Sequence, residues 1–447
     1  MANSPHTLGS DSIRSLLLRY AIPSIIGMTA MSLYNLMDSI FIGYGVGDKA
    51  LAGLAVTFPF MNLAAAFGAL VGVGAGAVVS VKLGQRDLRT AELALGNVVL
   101  LNVTIGSVFT IVSLLFLDGI LTFFGASEVS LPYAREYMQV ILLGNIVTHV
   151  YMGLNDVTRA SGYPQRAMAA TLTAVVINAG FNSLFIFGLG MGIRGAALGT
   201  ICAQSVALAF LLVHYTRPQT YLRFRLHAFR YSLKMVRSII GIGCSPFFIN
   251  LCACMVVTLI NQGLMRYGND HYVGAYGINN RILFIFIMIV MGLNQGMQPI
   301  VGYNYGAGQM RRVVRAYKAT VICATAVMTV CFVLCEFFPH LVIAMVTDND
   351  TYRDIGSRGL RIMAAMTPLV GFQVVTVSLF QSIGKAHKAI FMSLSRQLLL
   401  LVPLLLTLPT HYGTDGVWIS LPVSDFLSVV LATVLVTGQI RKLRKEY

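Results

Sequence analysis

Ser32-Leu33-Tyr34-Asn35-Leu36-Met37-Asp38-Ser39-Ile40-Phe41-Ile42-Gly43 sets a carboxylate inside the first long apolar segment of the chain. An ionised carboxylate near the middle of a bilayer costs about 2.5–3.5 kcal/mol on insertion scales. A chain that keeps one there either uses it for ion chemistry or holds it as a neutral acid hydrogen-bonded between packed helices. The choice depends on what surrounds the segment.

Segments of the same kind make up most of the 447 residues. Apolar residues are 56% and charged residues 11% of the chain, and its mean hydropathy is +0.75. A soluble domain carries about 25% charged residues. At about 20 residues per span, the chain has room for about twelve membrane helices and no large soluble domain. It reads as an all-α integral membrane protein. The net charge of +15 would suggest nucleic acid in a soluble protein. Here the basic residues lie in short loops and lack the interleaved aromatics of a nucleic-acid reader. All seven cysteines fall in apolar segments as free thiols, and Cys252-Ala253-Cys254 is too close for a CxxC motif, so neither a metal site nor a cofactor is expected. Residues 1–13 lack the apolar run of a cleaved leader.

Spans are expected near 15–43, 51–81, 93–117, 131–156, 167–189 and 195–215, then 238–265, 272–303, 315–338, 358–382, 387–408 and 415–438. With the N-terminus inside, 24 of the 32 Lys and Arg residues, Arg396 among them, fall in cytoplasmic segments and seven on the opposite side. By the positive-inside rule both termini are then cytoplasmic. The most basic stretch, 216–237, separates an N-terminal six-helix lobe (1–215) from a C-terminal one with its tail (238–447). The halves resemble one another. Pro23 and Pro246 are 223 residues apart, as are Asp38 and Asn261; Gly84 and Gly306, and Gly162 and Gly384, are 222 apart; Gln204 and Asp425 are 221 apart. A repeat of six spans preserves direction and gives two pseudo-symmetric bundles enclosing a cavity, a transporter architecture.

Three acids lie inside expected spans: Asp38, Asp156 and Asp425. Asp156 is three residues before Arg159, so a local ion pair and a cavity role are both open. For Asp425, hydrogen bonding within its bundle competes with substrate contact. Arg281 is the basic residue well away from a span end, and either pairs with a carboxylate or snorkels. Asp38 has polar company. Asn178 and Asn182 are four apart, hence on one helical face, and Thr200 follows in the next span. A carboxylate, two amides and a hydroxyl together suit a proton or a small hard cation such as Na+. Burial disfavours a carboxylate's charged form and a nearby cation favours it, which is the chemical basis of an exchanger. Asn pairs also act as plain interhelical contacts. Gly72-Val73-Gly74-Ala75-Gly76 lacks the Gly-Lys-Ser/Thr of a P-loop. No enzyme motif is present, so transport would draw on an ion gradient.

At these residues the chain resembles the multidrug and toxic compound extrusion (MATE) family, close to its MepA-like and DinF-like bacterial branch. The markers are Tyr34 to Gly43, Arg159-Ala160-Ser161-Gly162 and Phe185-Ile186-Phe187-Gly188-Leu189-Gly190. The second half adds the motif from Gln298 through Gly306 to Gly308 and that from Gly416 to Asp425. The resemblance implies a V-shaped pair of six-helix lobes in a bacterial inner membrane. It implies export of organic cations and drugs by alternating access against H+ or Na+, with a monomer as the functional unit. It implies a cation site at Asp38, Asn178, Asn182 and Thr200, and drug-cavity positions at Pro23, Met28, Tyr34 and Asn155. Gln298, Asp156, Arg281 and Asp425 are grouped with the latter. The family often has Asp where this chain has Asn182. A single acid among the four positions weakens the case for tight sodium binding and favours protons. The alternative is a flippase for a lipid-linked precursor, which would line its cavity with basic residues.

Overall fold

In a medium without water each backbone N–H and C=O must find a partner in the protein, and a helix provides one within its own segment. The computed structural model describes residues 7–347 and 349–445, the side chains of Arg444 and Lys445 excepted. Expectations about the ends of the chain that fall on residues 1–6 and 446–447 lie outside the described residues. Within them the chain is helical and has no strand.

The helices are α1 (Thr7–Ser10), α2 (Ile13–Gly45), α3 (Asp48–Gly84), α4 (Leu88–Leu115), α5 (Leu117–Phe123), α6 (Leu131–Leu143), α7 (Asn145–Ala160), α8 (Pro164–Asn182) and α9 (Gly192–Thr216). They continue with α10 (Leu233–Tyr267), α11 (Asp270–Gly306), α12 (Met310–Phe337), α13 (Pro339–Ala344), α14 (Asp350–Ala364), α15 (Thr367–Ser382), α16 (Ala386–Leu394) and α17 (Val402–Lys445). Two π-helical segments, Ser183–Gly188 and Ser395–Leu401, extend α8 and join α16 to α17.

Among the described residues nine helical stretches are long and apolar enough to cross a membrane, and two bent pairs bring the number to 11. The span expected at 131–156 bends by 56° between α6 and α7, at Gly144, where any side chain would overlap Ile201 of α9. The span expected at 358–382 bends by 51° between α14 and α15. Pro368 in the first turn of α15 cannot donate to the preceding turn and disfavours helix before it. The last stretch, Ala386–Leu443, runs 58 residues and breaks at Gly413, whose φ is 58°. At 1.5 Å per residue it reaches about 87 Å, more than twice a bilayer's hydrocarbon thickness of about 30 Å. Counted as two spans, it makes the fold compatible with twelve. The chain is a multi-pass membrane protein.

Packing divides the chain into two compact units. One comprises Met1–Asp11, Ile26–Phe247 and Gly302–Gly308; the other comprises Ser12–Ile25, Phe248–Val301 and Gln309–Tyr447. The first has a core around Leu54, Phe60, Leu121, Tyr137 and Met138. The second is built around Trp418 with Ile260, Leu264, Cys331 and Leu360. The seven cysteines are free thiols.

The internal repeat has local consequences. Gly162 and Gly384 follow α7 and α15 with φ of 103° and 71°, the left-handed conformation that ends helices and suits glycine. Within the first unit Gly84 and Gly306 belong to a close approach of α3 and α11. A methyl group on Gly84 would overlap the Tyr303 carbonyl, and one on Gly306 the Val81 carbonyl.

Candidate functional site

Three helices of the first unit converge on Asp38. α2 supplies Asp38 and, one turn earlier, Tyr34; α8 supplies Asn178 and Asn182; α9 supplies Thr200. Spacings of four place each pair on one helical face. Asp38 is 6% exposed, and Asn178, Asn182, Thr200 and Tyr34 are buried with it. Asn182 Nδ2 donates to Asp38 Oδ1 at 2.6 Å. Thr200 Oγ1 donates to Oδ2 at 3.5 Å and accepts from the Tyr34 hydroxyl at 2.9 Å. The relay therefore runs from Tyr34 through Thr200 to the carboxylate.

The Asn178 amide fits this shell in two orientations. In one, its oxygen accepts from Asn182 Nδ2 at 3.1 Å and its nitrogen donates to Thr200 Oγ1 at 3.4 Å. Turned over, its nitrogen donates to Asp38 Oδ1 at 3.0 Å and its oxygen accepts from the Thr200 backbone N–H at 3.3 Å. The second orientation places another donor on the carboxylate. Asn182 Oδ1 is buried without a hydrogen-bond partner among the described residues. It lies against Gly199, where a methyl group would overlap it.

Every hydrogen bond recorded for Asp38 among the described residues comes from an amide or a hydroxyl, none from a cationic side chain. An unpaired buried charge is costly, and neutral dipoles offset it in part. The cluster offers carboxylate, amide and hydroxyl oxygens, the donors hard cations prefer, or one oxygen to take a proton. The π segment begins directly after Asn182; such widened turns are frequent at functional sites. Tyr137 of α6, fully buried, lies against Thr200 as well. Sequence reading did not find Tyr137, and no spacing marks it.

The remaining expected positions fall elsewhere. Pro23 is buried and Met28 half-buried on α2. On α7, Arg159 binds Asp156 Oδ1 at 3.2 Å and Asn155 Oδ1 at 3.1 Å. Asn155 Nδ2 donates to the Ala167 carbonyl at 3.0 Å. Asp156 thus has the local ion pair of its two readings, and neither residue contributes a hydrogen bond to Asp38. On α11, Arg281 is exposed and Gln298 half-buried.

Asp425 of α17 accepts from Arg396 Nε at 2.8 Å, and Arg396 Nη2 is 2.8 Å from the same oxygen. Ser424 Oγ donates to the Arg396 carbonyl at 3.0 Å. Arg396, read from the sequence among the cytoplasmic basic residues, stands in the π segment inside the last long helical stretch. A charge at that depth is tolerated when paired, and its partner is 29 positions away on the next helix, beyond any local pattern.

The family model described as MatE matches the chain twice, over residues 23–184 and 246–407. The two matches begin at Pro23 and Pro246, at the repeat offset read from the sequence. The multidrug export protein MepA of Staphylococcus haemolyticus (strain JCSC1435) is 25% identical over 426 residues, which is 95% of this chain and 94% of that protein. The protein of the same name from Staphylococcus aureus (strain N315) is 24% identical over 422 residues, 94% of this chain and 92% of that one. Solved structures agree on the fold. A multidrug resistance MATE family transporter of the MOP superfamily in an outward-facing conformation superposes with a TM-score of 0.91 at 24% identity, covering 100% of this chain and 99% of that one. A MATE crystal structure in a bent conformation gives 0.93 at 24% identity over 99% and 98%. With both halves of the sequence matched by one family model, the chain belongs to the MatE family.

Proposed function

We propose that this protein is a secondary active exporter of small organic cations and drugs, driven by H+ entry through alternating access, with Asp38 carrying the driving ion. The observation behind this reading is a carboxylate buried in a membrane helix whose partners are amides and a hydroxyl. A fixed cation beside it would hold it permanently ionised. Neutral partners leave it able to take up and release a proton. Na+ is the competing driver, since the oxygens of Asp38, Asn178, Asn182 and Thr200 are suitable ligands. The names of the staphylococcal relatives, multidrug export proteins, support drugs as cargo.

Pro23, Met28 and Tyr34 share α2 with Asp38, so cargo along that helix would compete directly with the ion. Within the second half Gln298 and Arg281 are the positions offered to cargo, while Asp425 is engaged by Arg396; within the first, Asn155 and Asp156 are engaged by Arg159. The functional organisation is two lobes, 1–215 and 238–447, joined by the basic linker 216–237. The excess of Lys and Arg in alternate segments supports cytoplasmic termini, the staphylococcal relatives support a bacterial cytoplasmic (inner) membrane, and a monomer is the proposed functional unit. One charge crossing about 150 mV yields roughly 3.4 kcal/mol, a gradient of a few hundredfold. A one-for-one exchange of monovalent cations moves no net charge and draws on the pH difference alone.

The test is dye efflux from proteoliposomes under a pH gradient alone and a sodium gradient alone, for wild type and Asp38→Asn. Loss of ion-driven efflux in the variant is expected; undiminished efflux would overturn the role of Asp38. Movement of phospholipid analogues in place of dyes would favour the flippase, for which Arg396, engaged by Asp425, offers no free phosphate partner.

A further inference from the structure

The segment 216–237, from the last residue of α9 into the first turns of α10, holds six Lys and Arg residues and no Asp or Glu. It does not hang free. Its single 3-10 turn (Leu226–Phe229) is strapped against α4. The buried Glu92 carboxylate meets Arg225 Nε and His227 Nε2, each at 3.2 Å. Asn97 Nδ2 donates to the Arg230 carbonyl at 3.1 Å, and Asn97 Oδ1 accepts from the Ser232 N–H at 3.3 Å. Gly96 lets the Ala228 backbone approach where any side chain would collide.

The contact points locate the strap along α4. Glu92 and Asn97 are four and nine residues beyond Leu88, about 6 and 14 Å along the axis. α4 has 28 residues, about 42 Å, which exceeds a hydrocarbon core of about 30 Å by about 12 Å. The strap therefore lies near the level of the lipid headgroups. Apolar side chains of the strap and of the first turn of α10 face outward: Leu226 is 98%, Leu233 79%, Tyr231 51% and Phe229 42% exposed. Interleaved with these, Arg217, Arg230, Lys234 and Arg237 are exposed too. Leucine and aromatic side chains alternating with cations, with no anion among them, form the surface of an interfacial anchor.

We infer that this strap docks on anionic phospholipid. Leu226, Phe229, Tyr231 and Leu233 enter the headgroup region of the leaflet they face, and the cationic groups pair with lipid phosphates. Loops that serve only to set topology need cations but no fixed apolar edge. The inference concerns a surface, not cargo or driving ion, so it stands or falls separately from the proposed transport.

The experiment uses the full chain in vesicles of phosphatidylcholine with increasing phosphatidylglycerol, carrying Leu226→Trp. Trp418, the chain's sole tryptophan, is buried and gives a constant background measured on the unsubstituted protein. Expected is quenching of the new fluorophore by lipid doxyl-labelled near the headgroup, stronger than by deeper label and rising with phosphatidylglycerol. Quenching by aqueous iodide with no response to either lipid probe would overturn the inference. Adding Arg230→Gln, Lys234→Gln and Arg237→Gln should raise the phosphatidylglycerol needed for half-maximal quenching, by about fivefold per charge removed. Lys234→Gln alone gives a second reading if the triple variant folds poorly. An unchanged requirement, or displacement by millimolar inorganic phosphate, would also count against it.

Discussion

Each half of this protein keeps one acid in a membrane helix at a position its repeat partner fills with an amide, and the two acids are treated differently. Asp38 in the first unit answers to Asn261 in the second; Asp425 in the second answers to Gln204 in the first. Asp425 is bound by a resident guanidinium, Arg396, whereas Asp38 is bound by amide and hydroxyl groups. Gln204 hydrogen-bonds Thr148. Where the second half has built its cation into the chain, the first surrounds its acid with neutral donors. Duplication supplied two scaffolds, and the placement of one arginine makes one an ion pair; on the proposed reading it leaves the other as the exchange site.

Substitutions can break this contrast. Asp38→Asn should abolish ion-driven efflux while leaving the melting temperature in detergent unchanged or raised, because an amide among amides needs no counter-ion. Asp425→Asn and Arg396→Met should each lower the melting temperature, by the equivalent of about 3 kcal/mol, since the half-buried Arg396 or the buried Asp425 loses its partner. The double variant Arg396→Met with Asp425→Leu should recover most of that loss, and failure to do so would mean the pair does more than neutralise itself. Asn182→Asp adds a second acid to the first half and should increase the sodium dependence of efflux severalfold, read as efflux rate against external Na+.

The smallest effect is at a helix end. Asp87 caps α4 by accepting from the Thr90 N–H at 3.1 Å, while Gln309, 222 residues on, caps α12 with no side-chain bond. Asp87→Gln should cost about 1 kcal/mol and Gln309→Asp gain a similar amount. Hydrogen bonding to Thr90 and the nearby Lys82 hold the Asp87 carboxyl below its ordinary range, outweighing partial burial. The cap therefore contributes fully above the unfolded carboxylate's pKa and is lost as the pH falls through the folded one. The melting difference between wild type and Asp87→Gln should vanish in acid.

Hydropathy and the 221–223 offset made the helical class and the repeat legible before any coordinates, because apolar length and direction-preserving duplication are properties of the chain itself. The Asn178–Asn182 face was legible for the same reason: helical periodicity fixes it. What escaped were features set by the register of one helix against another. The pairing of Arg396 with Asp425 and the burial of Tyr137 beside Thr200 depend on axial offsets that no local pattern encodes. The bends at Gly144 and before Pro368 carried signals in residue type, but a glycine or proline in an apolar run does not say whether the helix bends or merely packs closely.

Proton exchange at Asp38 and movement of the helices around it run on two clocks. Transfer of a proton to or from a carboxylate is a local event, whereas helices rearrange over microseconds to milliseconds. On the proposed reading, ion occupancy around Asp38 equilibrates many times before the bundle moves once. The slow step then samples a settled titration state, so turnover should track the occupied fraction rather than the speed of ion arrival.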